Sequence, residues 1–243
     1  MAERNVSIVT GAAGGLGRAT TVALLEAGYR VGAFDITHEG LADVAERYPE
    51  DLLREKVDVT SADSVEGGVA RVTERLGLPT TLINIAGTNR IAPLTETSEE
   101  IWDLLINLNL KGTFLCCRAV VPRMREAGDG RIINMTSNLG LRPEAQQVAY
   151  ASSKAGVVGL TRSLALELAP DKIAVNAVAP VMTLTKRVAG LPQWWKDLQL
   201  SKIPFGRYGT VEDTVATVLF LLSEGASFYT GQVLSPNGGD NMA

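Results

Sequence analysis

Short apolar runs alternate with stretches of helical periodicity along almost the whole chain, and this restricts the fold more than any other feature. The runs lie at 6–9, 30–34, 53–57, 81–85, 131–136 and 172–179, with a last one at 232–234. Helical patterns fall between them, at 19–27, 41–48, 98–127, 149–168 and 211–222. Another opens at Ser61 and ends by Gly77 and Pro79. Strand, helix, strand in this order builds βαβ units, whose strands are parallel. Most runs are continuously apolar, as strands covered on both faces are; the third, with Arg54, Glu55 and Lys56, is the exception. Pro122 falls inside the 98–127 pattern and is expected to bend that helix. Residues 181–203 read as irregular. The expected fold class is α/β: one domain over 1–243, a doubly wound parallel sheet with helices on both faces.

Composition excludes several function classes. The net charge is -4 and the basic residues are scattered, so no nucleic-acid partner is expected. No apolar run reads as long enough for a membrane span, and no basic segment with an apolar signal core opens the chain. The expected location is the cytoplasm. Cys116 and Cys117 are adjacent in a helical pattern, point in different directions and read as buried thiols in a reducing compartment. His38 is the only histidine, which excludes multi-histidine metal sites; no metal is expected.

Residues 137–154, SNLGLRPEAQQVAYASSK, carry the chemistry. Tyr150 and Lys154 are four residues apart at the start of a helical run, which stacks them on one face. An ammonium beside a phenol favours the phenolate, so the Tyr150 pKa is expected to fall from its usual value of about 10. Ser137 follows the fifth strand, thirteen positions upstream of Tyr150.

A glycine turn, Gly11-xxx-Gly15-x-Gly17, lies between the first strand and the first helix. Such a turn lets backbone approach a pyrophosphate, to which helix N-terminal amides add partial positive charge. Leu16 sits within it. Asp35 ends the second strand, where a carboxylate accepts from an adenosine ribose. A 2′-phosphate there would meet that charge, and Arg18 is the one nearby cation. NAD(H) is therefore expected over NADP(H). Asp58 and Val59 end the third strand and either meet the adenine edge or shape the loop. Asn84, Ala86 and Gly87 end the fourth strand, with the same two readings.

In this order and spacing, the glycine turn, Asn84-x-Ala86-Gly87, Asn109, Ser137, Tyr150-xxx-Lys154 and Asn176 to Pro180 resemble the classical short-chain dehydrogenases/reductases. The resemblance spans essentially the whole chain. It implies a Rossmann-like domain with a sheet of about seven strands, a nicotinamide cofactor, and a homotetramer or, less often, a dimer. It implies that Tyr150 is the general acid in carbonyl reduction and the base in alcohol oxidation. Lys154 would lower the tyrosine pKa and hold the nicotinamide ribose, and Ser137 would hydrogen-bond the substrate oxygen. Asn109, with Asn107 as the rival assignment, would hold a water linking Lys154 to solvent. Pro180, Thr183 and Thr185 would contact the nicotinamide. The chain departs from the family pattern at Ile85, at Asn237, and at Val181, where a glycine is usual and a β-branched residue disfavours positive φ.

Substrate contacts are expected from 138–147 and from a lid over 181–203. Asn138, Leu139, Leu141, Gln147, Met182, Leu191, Trp194 and Trp195 are the candidates, with Arg90, Arg142 and Lys186 as possible anion partners. Apolar and aromatic residues there suit a partly hydrophobic ketone or secondary alcohol, though the tryptophans serve equally well as anchors. The leading expectation is an NAD(H)-dependent alcohol dehydrogenase or carbonyl reductase. A 3-oxoacyl thioester reductase and a sugar or polyol dehydrogenase are the enzyme alternatives. A dinucleotide-binding scaffold is the non-enzyme alternative.

Overall fold

The structure is a computed structural model that describes residues 5–183 and 193–242. Seven strands form one all-parallel sheet: β1 (Val6–Thr10), β2 (Arg30–Asp35), β3 (Leu52–Lys56), β4 (Pro79–Asn84), β5 (Gly130–Met135), β6 (Ile173–Val178) and β7 (Val233–Leu234). Their order across the sheet is β3-β2-β1-β4-β5-β6-β7. Helices α1 (Gly15–Glu26), α2 (Ala42–Arg47), α3 (Ala62–Leu76), α4 (Glu99–Leu105), α5 (Gly112–Ala127), α6 (Val148–Leu168), α7 (Gln193–Leu200) and α8 (Val211–Leu222) are joined to it.

Two apolar layers cover the sheet. On one face Val69 and Val72 of α3 and Leu115 and Val120 of α5 pack with Leu82 and Ile132. On the other, Leu24 of α1 and Val218 and Leu221 of α8 pack with Val31, Ile83 and Ile133. Burial on both faces is why the strands read as unbroken apolar runs. β3, at the edge, buries only Leu52 and beyond it alternates between half-buried and exposed residues, which accounts for its charges.

The caps follow the sequence. Ser61 accepts from the Ser64 amide and Ser98 from the Ile101 amide, closing the first turns of α3 and α4. Thr210 and Asp213 form a reciprocal capping box on α8. The Arg207 guanidinium, bonded to both Asp213 oxygens, holds that carboxyl well below the usual carboxylate range, aided by the Thr210 amide.

Three expectations change. The 98–127 helix is not uniform: Ile106–Lys111 between α4 and α5 is a π-helical turn, a form that recurs at functional sites. The continuous helical span Glu99–Ala127 is also long and apolar enough to cross a bilayer by length and composition alone. Half of its most apolar window is buried within this fold, which is the arrangement of a core helix. Within 181–203, α7 replaces the expected irregular chain. Gln193 bonds Asp197 one turn on, and the Tyr208 hydroxyl donates to the Lys196 carbonyl, docking the helix.

Candidate functional site

The strand order reverses between β1 and β4, so the two connections leaving their C-terminal ends diverge and leave a crevice there. Thr10 and Asn84 are register partners at that point. The Thr10 hydroxyl accepts from the Ile85 and Ala86 amides, pinning the start of the β4 loop beside the glycine turn. Gly11 takes φ +66, and a Cβ there would lie 2.9 Å from Ala86 backbone. A Cβ on Gly17 would lie 2.0 Å from the Gly11 carbonyl oxygen. The turn therefore closes only with glycine at these two positions. Gly14 precedes α1 without a side-chain cap, and the first turn, with Gly15 and Leu16, carries no acid. With no acid in that first turn, its leading amides can cradle an anion.

Asp35 sits across this turn, and one of its oxygens accepts from the Ala13 amide at 2.9 Å. Arg18 does not turn toward it. Its guanidinium donates to the Gly40 carbonyl and pairs with Asp43. Asp58 accepts from the Thr60 amide and hydroxyl, shaping its own loop, while Val59 is buried and its side chain limits the space beside Gly112.

Of the two readings open for Asn84, its side-chain contacts fit the structural one. Its side chain is buried, and its amide nitrogen donates to the Asn134 side-chain oxygen and to Cys117 Sγ. Asn134 in turn donates to Thr161 on α6. This polar chain ties β4, β5, α5 and α6 together, which is a structural task. Burial pushes the Cys117 thiol up to about 12, and Cys116 is raised as well; both are free thiols, held neutral in the core.

The other half of the site comes from α6 and the end of β5. Lys154 is buried and its Nζ donates to the Met135 carbonyl at 2.8 Å. That Nζ lies 5.9 Å from the centre of the half-buried Tyr150 ring. The i,i+4 spacing thus places the ammonium over the tyrosine ring. The Thr136 hydroxyl donates to the Lys154 carbonyl, and Ser153 to the Tyr150 carbonyl. Ser137 is buried just after β5. Its Oγ accepts from the Leu139 amide at 3.2 Å and donates to Asn138 Oδ1 at 3.1 Å.

Asn109 is fully buried in the π turn, whereas Asn107 is half-buried, so the structure singles out Asn109. Its side chain clamps Thr88 from both sides. Oδ1 accepts from the Thr88 amide, and Nδ2 donates to the Thr88 carbonyl and to Ser153 Oγ. The side-chain amide thereby fixes the Gly87–Thr88 backbone. A Cβ on Gly87 would come within 2.8 Å of Asn109 Oδ1 and 3.5 Å of Lys154 Nζ, so Gly87, Asn109 and Lys154 converge on one spot.

Pro180 accepts from the Asn138 amide, linking the β6 and β5 ends. Thr183 donates to the Val181 carbonyl. Val181 is buried without positive φ, so the valine leaves the backbone in an ordinary conformation. Thr185, Lys186, Leu191 and the Trp195 side chain lie outside the described residues. Of the other substrate candidates, Gln147 is buried with its Oε1 unpartnered among the described residues, and Met182 and Leu139 are half-buried. Trp194 is 68% exposed on α7. Leu139, Pro143, Gln146, Val148 and Leu94 line a cavity of about 470 Å³ beside the start of α6. Sequence reasoning missed Thr10, Thr88, Ser153 and Gln146. Gln146 holds φ +64, with its carbonyl accepting from the Ala92 amide, and nothing local in the sequence marks it.

Residues 11–241 match a family model described as enoyl-(acyl carrier protein) reductase. The chain is 40% identical over 240 residues to the 3-oxoacyl-[acyl-carrier-protein] reductase FabG of Thermotoga maritima, covering 98% of each. It is 38% identical over 243 residues to the (2S)-[(R)-hydroxy(phenyl)methyl]succinyl-CoA dehydrogenase subunit BbsD of Thauera aromatica, covering 99% of this chain and 98% of that one. It is 37% identical to FabG of Staphylococcus aureus over 97% of this chain and 98% of that one. With a crevice at the strand reversal, a glycine-closed turn and a Ser137, Tyr150, Lys154 cluster beside it, the chain belongs to the short-chain dehydrogenase/reductase family.

Proposed function

We propose that this oxidoreductase reduces the 3-keto group of an acyl thioester, carried by acyl-carrier protein or coenzyme A, with NADH. The single observation that carries this reading is the near-full-length likeness to proteins named for acyl thioesters of both carriers. It replaces the broader expectation of a partly hydrophobic ketone or alcohol, and nothing at the site favours a sugar.

NADH, when bound, supplies the hydride. The chain's own residues do the rest. Tyr150 gives its proton to the keto oxygen, and the nearby Lys154 ammonium stabilises the phenolate left behind. Ser137 Oγ, which gives its one proton to Asn138 in this structure, turns it to the same oxygen as negative charge develops there. Met135 holds Lys154 from behind, and the Asn109 clamp keeps Gly87 out of its way. The dinucleotide would fit the turn that closes only with glycine at Gly11 and Gly17. Gly11, Gly15, Leu16 and Gly17 would hold its pyrophosphate and Asp35 its adenosine ribose. Asp58 and Val59 would border the adenine. Ala86, Gly87, Tyr150 and Lys154 would hold the nicotinamide ribose, and Pro180 and Thr183 the nicotinamide, with Thr185 assigned there by the family resemblance alone.

NADH is preferred because a 2′-phosphate beside Asp35 would be repelled by about 1 to 4 kcal/mol at 4 Å, and Arg18 is engaged with Gly40 and Asp43. With acetoacetyl-CoA, kcat/KM is expected to be at least about tenfold higher for NADH than for NADPH, and crotonyl-CoA should not be reduced. A higher value for NADPH would reject the cofactor assignment. Reduction of crotonyl-CoA but not acetoacetyl-CoA would reject the substrate class in favour of enoyl reduction.

The proposal extends to a cytoplasmic homotetramer. Trp102 and Leu104 of α4, Phe114 of α5 and Leu166 of α6, the last 83% exposed, leave apolar surface that a monomer seldom shows. Sedimentation at micromolar concentration should give four times the monomer mass; a monomer would contradict it.

A further inference from the structure

We infer that Asp240, far from the catalytic cluster in sequence, is a positioning residue that holds the Ser137 hydroxyl through Asn138; the inference rests on the role proposed for Ser137. The Asp240 side chain is only 4% exposed. One oxygen accepts from Asn138 Nδ2 at 2.6 Å and the other from Arg142 at 2.8 Å. A carboxylate bonded in this way to an amide can only accept, so it decides which end of the Asn138 side chain faces it. The oxygen end is thereby turned to Ser137, whose Oγ donates to it. With the Leu139 amide donating into the same Oγ, the serine oxygen is held from two sides.

The segment bearing Asp240 is itself tied down. The Asp240 amide donates to the Asn237 carbonyl, and the Asn237 side chain bonds Ser235 and the Asn241 carbonyl. Gly238 and Gly239, both at positive φ, make the turn that brings the carboxylate back to the β5 end. A C-terminal loop therefore sets where the Ser137 hydroxyl stands before substrate arrives, and from that position its one proton turns from Asn138 to the substrate oxygen. Asn138, expected to meet substrate directly, is occupied with this relay.

Without Asp240, the Asn138 amide is free to flip or withdraw, and Ser137 loses one of its two restraints. The test is a cycle of Asp240→Ala, Ser137→Ala and the double variant, read with NADH and acetoacetyl-CoA. NADH affinity by fluorescence and the urea midpoint are followed in each. Asp240→Ala is expected to lower kcat about tenfold with NADH affinity unchanged. On the Ser137→Ala background it should lower kcat no further, because the group it acts through is gone. Unchanged kcat in Asp240→Ala, or an equal loss on both backgrounds, would overturn the inference. If Asp240→Ala does not fold, Asn138→Ala breaks the relay at its middle and is held to the same two criteria. Wild-type turnover by Ser137→Ala alone would instead reject the role proposed for the serine, an outcome distinct from a slow Ser137→Ala beside a fast Asp240→Ala.

Discussion

Tyr150→Phe is expected to lower turnover of acetoacetyl-CoA by about a thousandfold while NADH still binds with near wild-type affinity. The ring remains and only the hydroxyl is removed. Ser153 bonds the backbone carbonyl of residue 150, so the helix start is undisturbed, and Lys154 keeps its bond to Met135. What disappears is the one proton donor that the cluster can place on a keto oxygen, since Ser137 has far too high a pKa to give up its proton. Stopped-flow turnover and NADH fluorescence titration measure the two quantities separately. Turnover within tenfold of wild type would remove Tyr150 from the proton path. A wild-type protein that bound NADH yet reduced nothing in the panel would favour the scaffold alternative.

Gly17→Ala should be the most damaging single methyl in the fold. The added carbon would sit 2.0 Å from the Gly11 oxygen, 2.7 Å from its carbonyl carbon and 2.9 Å from Ala12 Cα. All three are backbone atoms, so no side chain can rotate out of the way. Either α1 shifts along the sheet or the turn opens. Overpacking of this kind costs about 3 kcal/mol, a fall in Tm of roughly 6 to 12 °C for a chain this size. NADH binding should fall with it, because the same turn forms the cradle. Thermal unfolding with and without NADH reads both effects. A variant with wild-type Tm and NADH affinity would mean that the turn is not closed as described.

Much of this was legible because it depends on spacing alone. Tyr150 and Lys154 share a helix face by their four-residue separation, and the serine and threonine caps mark the helix starts. Continuously apolar strands predict a sheet covered on both sides, which the two core layers supply. The sequence reading failed where a residue's partner is remote or its direction depends on packing. Asn84 allows both a crevice and a structural reading from its position at a strand end, and only packing shows that it faces Asn134 and Cys117 in the core. The π turn around Asn109 has no local signature; it arises with the Thr88 clamp and with Thr113, which donates to the Asn109 carbonyl. Asp240 reaches Asn138 across 102 residues, a contact that only the closed sheet creates.

The central claim is that Tyr150 and Ser137 meet on the keto oxygen of a 3-oxoacyl thioester. It is tested most directly by a crystal structure with NAD⁺ and acetoacetyl-CoA, a pair that cannot react because both are oxidised. The account predicts the Tyr150 hydroxyl and Ser137 Oγ both at about 3 Å from the 3-keto oxygen. A phenol turned to solvent, with the keto oxygen held by other groups, would contradict it.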